Sequence, residues 1–293
     1  MANHQAGLPD DQSGHCNFTA SYMFCQAVRD HKPVWMLEDM RTTEYFHWEQ
    51  DASSKMYSPS EALLCAVEHD HLPYAQYLLS RFPAEALKVP GGHFCYCPPS
   101  APHLAMAVRH DRRYMLGLIV SIANKRPSLT SYIDRAGCVH LEDGKTPLHL
   151  ACQLLRSDIV LILLGNGASP RIEDRDGLTP LDAILEQMWG SRVDVATKKL
   201  CLDYLLLFMP NPQFQMGKFL REHPERWALL LGEDKFNSLV GNIPASLCLQ
   251  AMQTILQTLP PSHFPKSVQE LPLPQKLKLL PCMGKQLPTE KIL

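Results

Sequence analysis

Between Phe236 and Pro265 the chain has no Asp, Glu, Lys or Arg, although charged residues make up 20% of the whole. The stretch is no membrane span, because Pro, Gln, Asn and His interrupt it. The other long apolar runs, residues 114–123 and 200–209, are also too short to cross a bilayer. No N-terminal apolar run has the form of a secretion signal. Charge of one sign is not in excess. The formal net charge is −2, so no global field draws the chain to nucleic acid or anionic lipid, and neither is expected as a partner. Ten Cys are scattered without scaffold-like pairing. With no secretion signal, that favours reduced, mostly buried thiols in the cytosol. There is no P-loop, dinucleotide glycine fingerprint, H-E-x-x-H or G-x-S-x-G. The chain therefore reads as non-catalytic and without a cofactor.

What is present is a repeat. Asp143-Gly144-Lys145-Thr146-Pro147-Leu148-His149-Leu150-Ala151 recurs 33 positions later as Asp176-Gly177-Leu178-Thr179-Pro180-Leu181-Asp182-Ala183-Ile184. Thr caps a helix start, and Pro is tolerated at its first position. Ala151 is small where two helices must approach closely. Residues 159–164 form an outer helix that Gly165 and Gly167 end, Gly167 with positive φ. More decayed copies lie upstream. Ala62–Leu79 superposes on Pro147–Leu164 without a gap, and Leu104–Val120 superposes on Leu63–Leu79. Asp70, Asp111 and Leu155 then occupy the turn between two helices, where Asp tolerates a left-handed conformation and Leu does not readily do so. Residues 27–36 are a possible fifth, capping copy. The last copy reads as split, with an inner helix over 179–187, a long connector over 188–199 and an outer helix over 200–208.

The Thr-Pro-Leu-His signature and 33-residue period resemble the ankyrin repeat. The expected fold is all-α: an ankyrin-repeat solenoid of four to five divergent repeats, followed by a helical module. The expected division is a disordered terminus (1–21), a cap or degenerate repeat (22–57), repeats (58–210), a helical connector (211–243), a C-terminal module (244–281) and a flexible tail (282–293). Stacked repeats present a protein-binding surface and perform no chemistry by themselves.

The uncharged tail has its own pattern. Leu247, Ala251 and Ile255 lie at i, i+4 and i+8 and share one helical face. Cys248, Met252, Leu256 and Leu259 widen the apolar arc past half the circumference, while Gln250, Gln253, Thr254 and Gln257 hold the polar side. One apolar side can pack on the chain's own helices and leave the other for a partner. Pro244 and Ser246 mark the start, and Pro260-Pro261 stops the helix. A proline-ordered strip follows: Val268, then Leu271-Pro272-Leu273-Pro274, then Leu277.

In that order, helix and strip resemble a SOCS box. The resemblance implies that Leu247, Ala251 and Ile255 bind elongin C, with elongin B beside it, Ala251 standing where Cys is commoner. It implies that Leu271, Pro272, Leu273, Pro274 and Leu277 bind a cullin with its RING partner. Leu-Pro-Leu-Pro favours cullin 5 over cullin 2, although Leu280 and Pro281 replace the usual aromatic residue and Leu. Roughly over residues 22–280, the chain also resembles a group of ankyrin proteins that are substrate receptors of cullin–RING ubiquitin ligases. Residues 26–30, 33–35, 37–41, 57–64 and 231–236 carry that likeness. It implies IMP dehydrogenase as a candidate client; spacing and composition point to no particular client. The rival reading is an ankyrin scaffold or inhibitor that does not lead to degradation.

Other constellations read as structural. His93, Cys95, Cys97 and His103 include a Cys-x-Cys unlike the usual zinc knuckle, and are read as a Cys-containing loop. His149 is read as a hydrogen-bonding residue within the repeat turns. His69, Asp70 and His71 are adjacent, so on a helix end they point apart. Trp35, Met36, Phe46 and Trp48 form a cap over the first repeat or help to grip a client.

Overall fold

The computed structural model describes residues 22–43, 57–90, 102–137, 144–261 and 264–272. Among these residues there are helices and no β-strand. The helices form five hairpins: α1 (Tyr22–Arg29) with α2 (Val34–Thr42), α3 (Pro59–Glu68) with α4 (Leu72–Arg81), α6 (Pro102–Arg109) with α7 (Arg113–Asn124), α8 (Pro147–Gln153) with α9 (Ser157–Gly165), and α10 (Pro180–Gly190) with α11 (Val195–Leu207). A short helix α5 (Pro83–Ala86) follows the second hairpin. The first member of each hairpin packs on the next first member, and the second members pack on one another, giving two layers. Leu63, Leu104, Leu148 and Leu181 are buried along the inner layer, and Leu78, Ile119, Val160 and Leu205 along the outer one. Each such side chain contributes roughly 1.5–3 kcal/mol by leaving water.

Local chemistry starts three of the inner helices in one way. Ser58, Thr146 and Thr179 are N-caps, each followed by Pro, and each forms a reciprocal capping box with the third helical residue: Glu61, His149 and Asp182. Helix α3 thus begins at Pro59, three residues before the point that matches Pro147 in the gapless superposition.

All five hairpin turns contain a non-glycine residue with positive φ: His31 (51°), Asp70 (57°), Asp111 (54°), Leu155 (55°) and Asp194 (55°). The equivalence includes Leu155, despite the side chain's aversion to that region. In the fifth hairpin the expected long connector is absent. Helix α10 runs on to Gly190 and α11 starts at Val195. Met188 is buried, Trp189 stacks against Trp227 at 5.3 Å, and both extend the helix beyond the expected end. Lys198, only 2% exposed, closes the short turn by donating from Nζ to the Ser191 carbonyl at 2.9 Å.

His149 shows how one repeat is tied to the next. Its Nδ1 lies 2.7 Å from Thr146 Oγ1, and its Nε2 donates to the Leu178 carbonyl at 3.0 Å. Asp182 takes the equivalent place in the last repeat. Its Oδ2 accepts from Thr179 N–H and O–H at 2.9 and 2.8 Å. Its Oδ1 accepts from the backbone N–H groups of Gln215 and Met216, both at 2.9 Å. Where His donates to a further repeat, Asp accepts from the connector that follows.

That connector holds α12 (Gly217–Glu222), α13 (Pro224–Leu231) and α14 (Glu233–Leu239). Gly232, at φ 88° and ψ 150°, joins the last two in a conformation that a Cβ would strain. Lys235 then pairs with Asp203 on α11 at 2.5 Å. The expected disordered terminus (1–21) and flexible tail (282–293) lie outside the described residues, as do Phe46 and Trp48. Trp35 is 73% exposed on α2, outside the core of the first hairpin. Leu37, from the same helix, fills that core beside Phe24 and Val28.

Candidate docking surface

Helix α15 (Leu247–Thr258) begins at Ser246, whose Oγ accepts the Leu249 N–H at 3.3 Å. It lies against α11. Met252 and Gln253 are buried, and Leu256 and Leu259 pack on the core. The opposite arc is open: Leu247 is 84% exposed, Cys248 and Ala251 are exposed, and Ile255 is half-buried. Helical geometry thus splits the wide apolar arc, with Met252, Leu256 and Leu259 turned inward and Leu247, Cys248 and Ala251 turned to solvent.

Gln253 departs from the expected pattern. The sequence pattern puts it on the polar side of the helix, yet it is 6% exposed and its Nε2 donates to the Leu206 carbonyl at 2.7 Å. Leu206 lies in the last turn of α11, where carbonyls outrun their helical N–H partners. A polar side chain at the edge of an apolar arc can be a seat as well as a solvent contact. Only the position of α11 decides which.

After the helix the chain folds back onto the fourth repeat. A Cβ on Gly165 would lie 2.2 Å from the Phe264 ring, so this glycine is what allows the ring to sit there. Phe264 also meets Phe208 edge-on at 6.2 Å. Pro261 lies over Gly167, whose φ of 97° has the expected sign. Helix α16 (Lys266–Gln269) buries Val268, and Leu271 packs against the core. Of the strip residues, Leu271 is half-buried and Pro272 exposed, while Leu273, Pro274 and Leu277 lie outside the described residues. Phe264 was missed by sequence reasoning. Its signal is a glycine in the last turn of an outer helix, which is readable only once the partner ring is known.

The other constellations take structural positions. His103 is fully buried, with Nδ1 2.7 Å from Tyr132 Oη and Nε2 donating to the Ser60 carbonyl at 3.0 Å. Burial holds its pKa down at about 4. His93, Cys95 and Cys97 lie outside the described residues. His71 turns inward, accepting from Tyr74 N–H and donating to the Lys32 carbonyl, whereas Asp70 turns out toward Arg112. Burial likewise lowers the His149 pKa. Among the described residues no group of three or more His, Cys, Asp or Glu is placed to hold a metal ion, and no helix is long and apolar enough to cross a membrane. A cleft of about 530 Å³ between the last repeat and the connector carries Arg171, Lys218 and Arg221 beside Glu173.

Comparison with known proteins gives the arrangement a family. The profile of ankyrin repeats (many copies) matches residues 136–183. Two plant proteins align over 41 residues: the BTB/POZ domain and ankyrin repeat-containing protein NOOT1 of Medicago truncatula, 46% identical over 14% of this chain and 8% of its own, and regulatory protein NPR6 of Arabidopsis thaliana, 44% identical over 14% and 9%. Ankyrin repeat domain-containing protein 9 of Mus musculus is 40% identical over 294 residues, covering 91% of this chain and 90% of the mouse protein. Given that extent and identity, the chain belongs to the family of ankyrin repeat domain-containing protein 9.

Proposed function

We propose that the chain is a non-catalytic substrate receptor of a cullin–RING ubiquitin ligase, working in the cytosol. In this reading residues 58–210 hold a client, and residues 244–281 recruit elongin C and elongin B, with cullin 5 and its RING partner. The observation that carries it is the solvent-facing strip Leu247, Cys248 and Ala251 on a helix whose opposite face is seated on α11. An exposed Leu beside an exposed small residue, inside a run without charge, suits burial by a partner protein. The chain's contribution is proximity: it raises the effective concentration of client lysines near the ubiquitin-loaded enzyme. IMP dehydrogenase is the candidate client by family resemblance.

A second reading has its own support. Val268 is buried and Leu271 packs against the core, so the start of the proline-ordered strip belongs to the chain's own fold. That favours a scaffold which holds a partner without destroying it. Co-purification separates the two. Wild type and Leu247→Asp are expressed alike, and elongin C and cullin 5 are scored together. The receptor reading expects both with wild type and neither with the folded variant. Absence of both from folded wild type favours the scaffold.

A further inference from the structure

Cys25 on α1 and Cys65 on α3 face each other across the first inter-repeat interface, with their Sγ atoms 2.9 Å apart. The two helices pack directly. Phe24 is held beside them by stacking on Tyr57 at 4.6 Å, so the pair stands on a fixed frame. The thiols differ in access: Cys25 is half-buried and Cys65 is buried. We propose that Cys25 and Cys65 are a dithiol pair that forms a reversible disulfide by exchange with a low-molecular-weight disulfide, stapling the first helical hairpin to the second.

The reaction runs in two displacements. The Cys25 thiolate attacks one sulfur of a small disulfide such as oxidised glutathione, the bond between its two sulfurs breaks, and one glutathione thiolate leaves. The Cys65 thiolate then attacks the Cys25 sulfur and displaces the second glutathione thiolate. The protein loses two protons and two electrons; one oxidised glutathione becomes two reduced ones. The order follows from access, because only Cys25 is reachable by a molecule of that size. It is also the order that favours thiolate formation. The hydrogen bond with Cys65 lowers the Cys25 pKa, while the same bond and burial raise that of Cys65. Glu68 stands near both thiols and opposes ionisation of each. That makes the pair slower to react than one in a cationic setting, but it leaves the geometry of closure intact.

The bond would close a loop from Cys25 to Cys65 that includes α2, the helix carrying Trp35 at the solvent surface. Such a loop constrains the unfolded chain and raises resistance to unfolding of the first hairpin.

The test uses the full chain, reduced and desalted, then equilibrated under native conditions in mixtures of reduced and oxidised glutathione. Alkylation after acid quenching and peptide mapping then locates every thiol. The expected result is a linked peptide pair joining Cys25 to Cys65, rising with the oxidised fraction, and a thermal midpoint several degrees above that of the reduced protein. In Cys65→Ser, Cys25 is expected to remain as a glutathione adduct. If wild type instead keeps a lasting adduct on Cys25, or both thiols stay alkylatable throughout, the proposal is overturned. A link that forms only in denaturant overturns it too. The wild-type measurement decides alone where the variant does not fold.

Discussion

Arg156 Nη1 lies 3.5 Å from Asp111 Oδ2, and one repeat earlier Arg112 Nη1 lies 3.5 Å from Asp70 Oδ2. Each Asp holds the left-handed turn of one hairpin, and each Arg follows the left-handed residue of the next. The turns of the second, third and fourth hairpins are thus joined by a ladder of charges, one rung between each pair of neighbours. Both pairs are substantially solvent-exposed, so the ladder orders the surface more than it stabilises it. A double-mutant cycle of Asp111→Asn with Arg156→Met keeps a side chain that accepts positive φ and removes only the pairing. The expected coupling is below about 1 kcal/mol, falling with added salt. A coupling several times larger that ignores salt contradicts this reading.

Buried His103 makes stability depend on acid. Its neutral ring donates from Nε2 to Ser60 and accepts at Nδ1 from Tyr132, and burial lowers its pKa to about 4. The unfolded chain binds this proton near pH 6.5 and the folded chain only near 4. The contribution is therefore fully present above about 6.5 and is lost as pH falls toward 4, a decline on the order of 3 kcal/mol. Equilibrium denaturation between pH 7 and 4 is expected to show a decline that His103→Gln reduces. An unchanged slope in a folded variant excludes His103 as its source.

Asp182 carries more than its capping box. Its two oxygens satisfy Thr179 and the N–H groups of Gln215 and Met216. Asp182→Ala leaves these donors without their acceptor and is expected to cost about 3 kcal/mol or more. Asp182→His restores the residue type of the fourth repeat but brings a donor to backbone donors, and is expected to recover little. Urea denaturation of both variants tests this. Full recovery by His contradicts the assignment of Asp182 as the acceptor that ends the repeats.

What was legible came from residues whose side chains state their own backbone preference. Thr146-Pro147 and Thr179-Pro180 announce helix starts, and Asp70 and Asp111 announce left-handed turns. Leu155 does not: its φ of 55° follows from the repeat register alone. The extension of α10 to Gly190 is hidden because Trp189 finds its partners, Phe219 and Trp227, in the connector far along the chain. The tail helix was readable as two-faced from its period. Which face is buried depends on α11, and so the period alone does not reveal that Gln253 is seated on Leu206.

Gly165 offers a test of how the segment after α15 is held. The Phe264 ring occupies the space that a side chain at 165 would take. Gly165→Ala adds one methyl group, improves helix propensity, and is expected to expel the ring. Limited proteolysis should then cut between Leu259 and Pro272 several-fold faster, with the repeats unchanged. Equal cleavage rates in the two proteins contradict the packing described.

The two faces of α15 are expected to separate stability from recruitment. Leu247 makes little contact with the fold, so Leu247→Asp should change stability by less than about 0.5 kcal/mol. Under the receptor reading it should also abolish elongin C binding, because a carboxylate would be carried into an apolar interface. Gln253→Ala does the reverse. It removes the bond to the Leu206 carbonyl and should lower stability by about 1 kcal/mol, while leaving Leu247, Cys248 and Ala251 exposed for the adaptor. Thermal unfolding and elongin C pull-down on the same two preparations give four values. Loss of stability in Leu247→Asp contradicts the outward assignment of that face. Loss of elongin C binding in a folded Gln253→Ala protein contradicts the division of the helix into a seat and a docking strip.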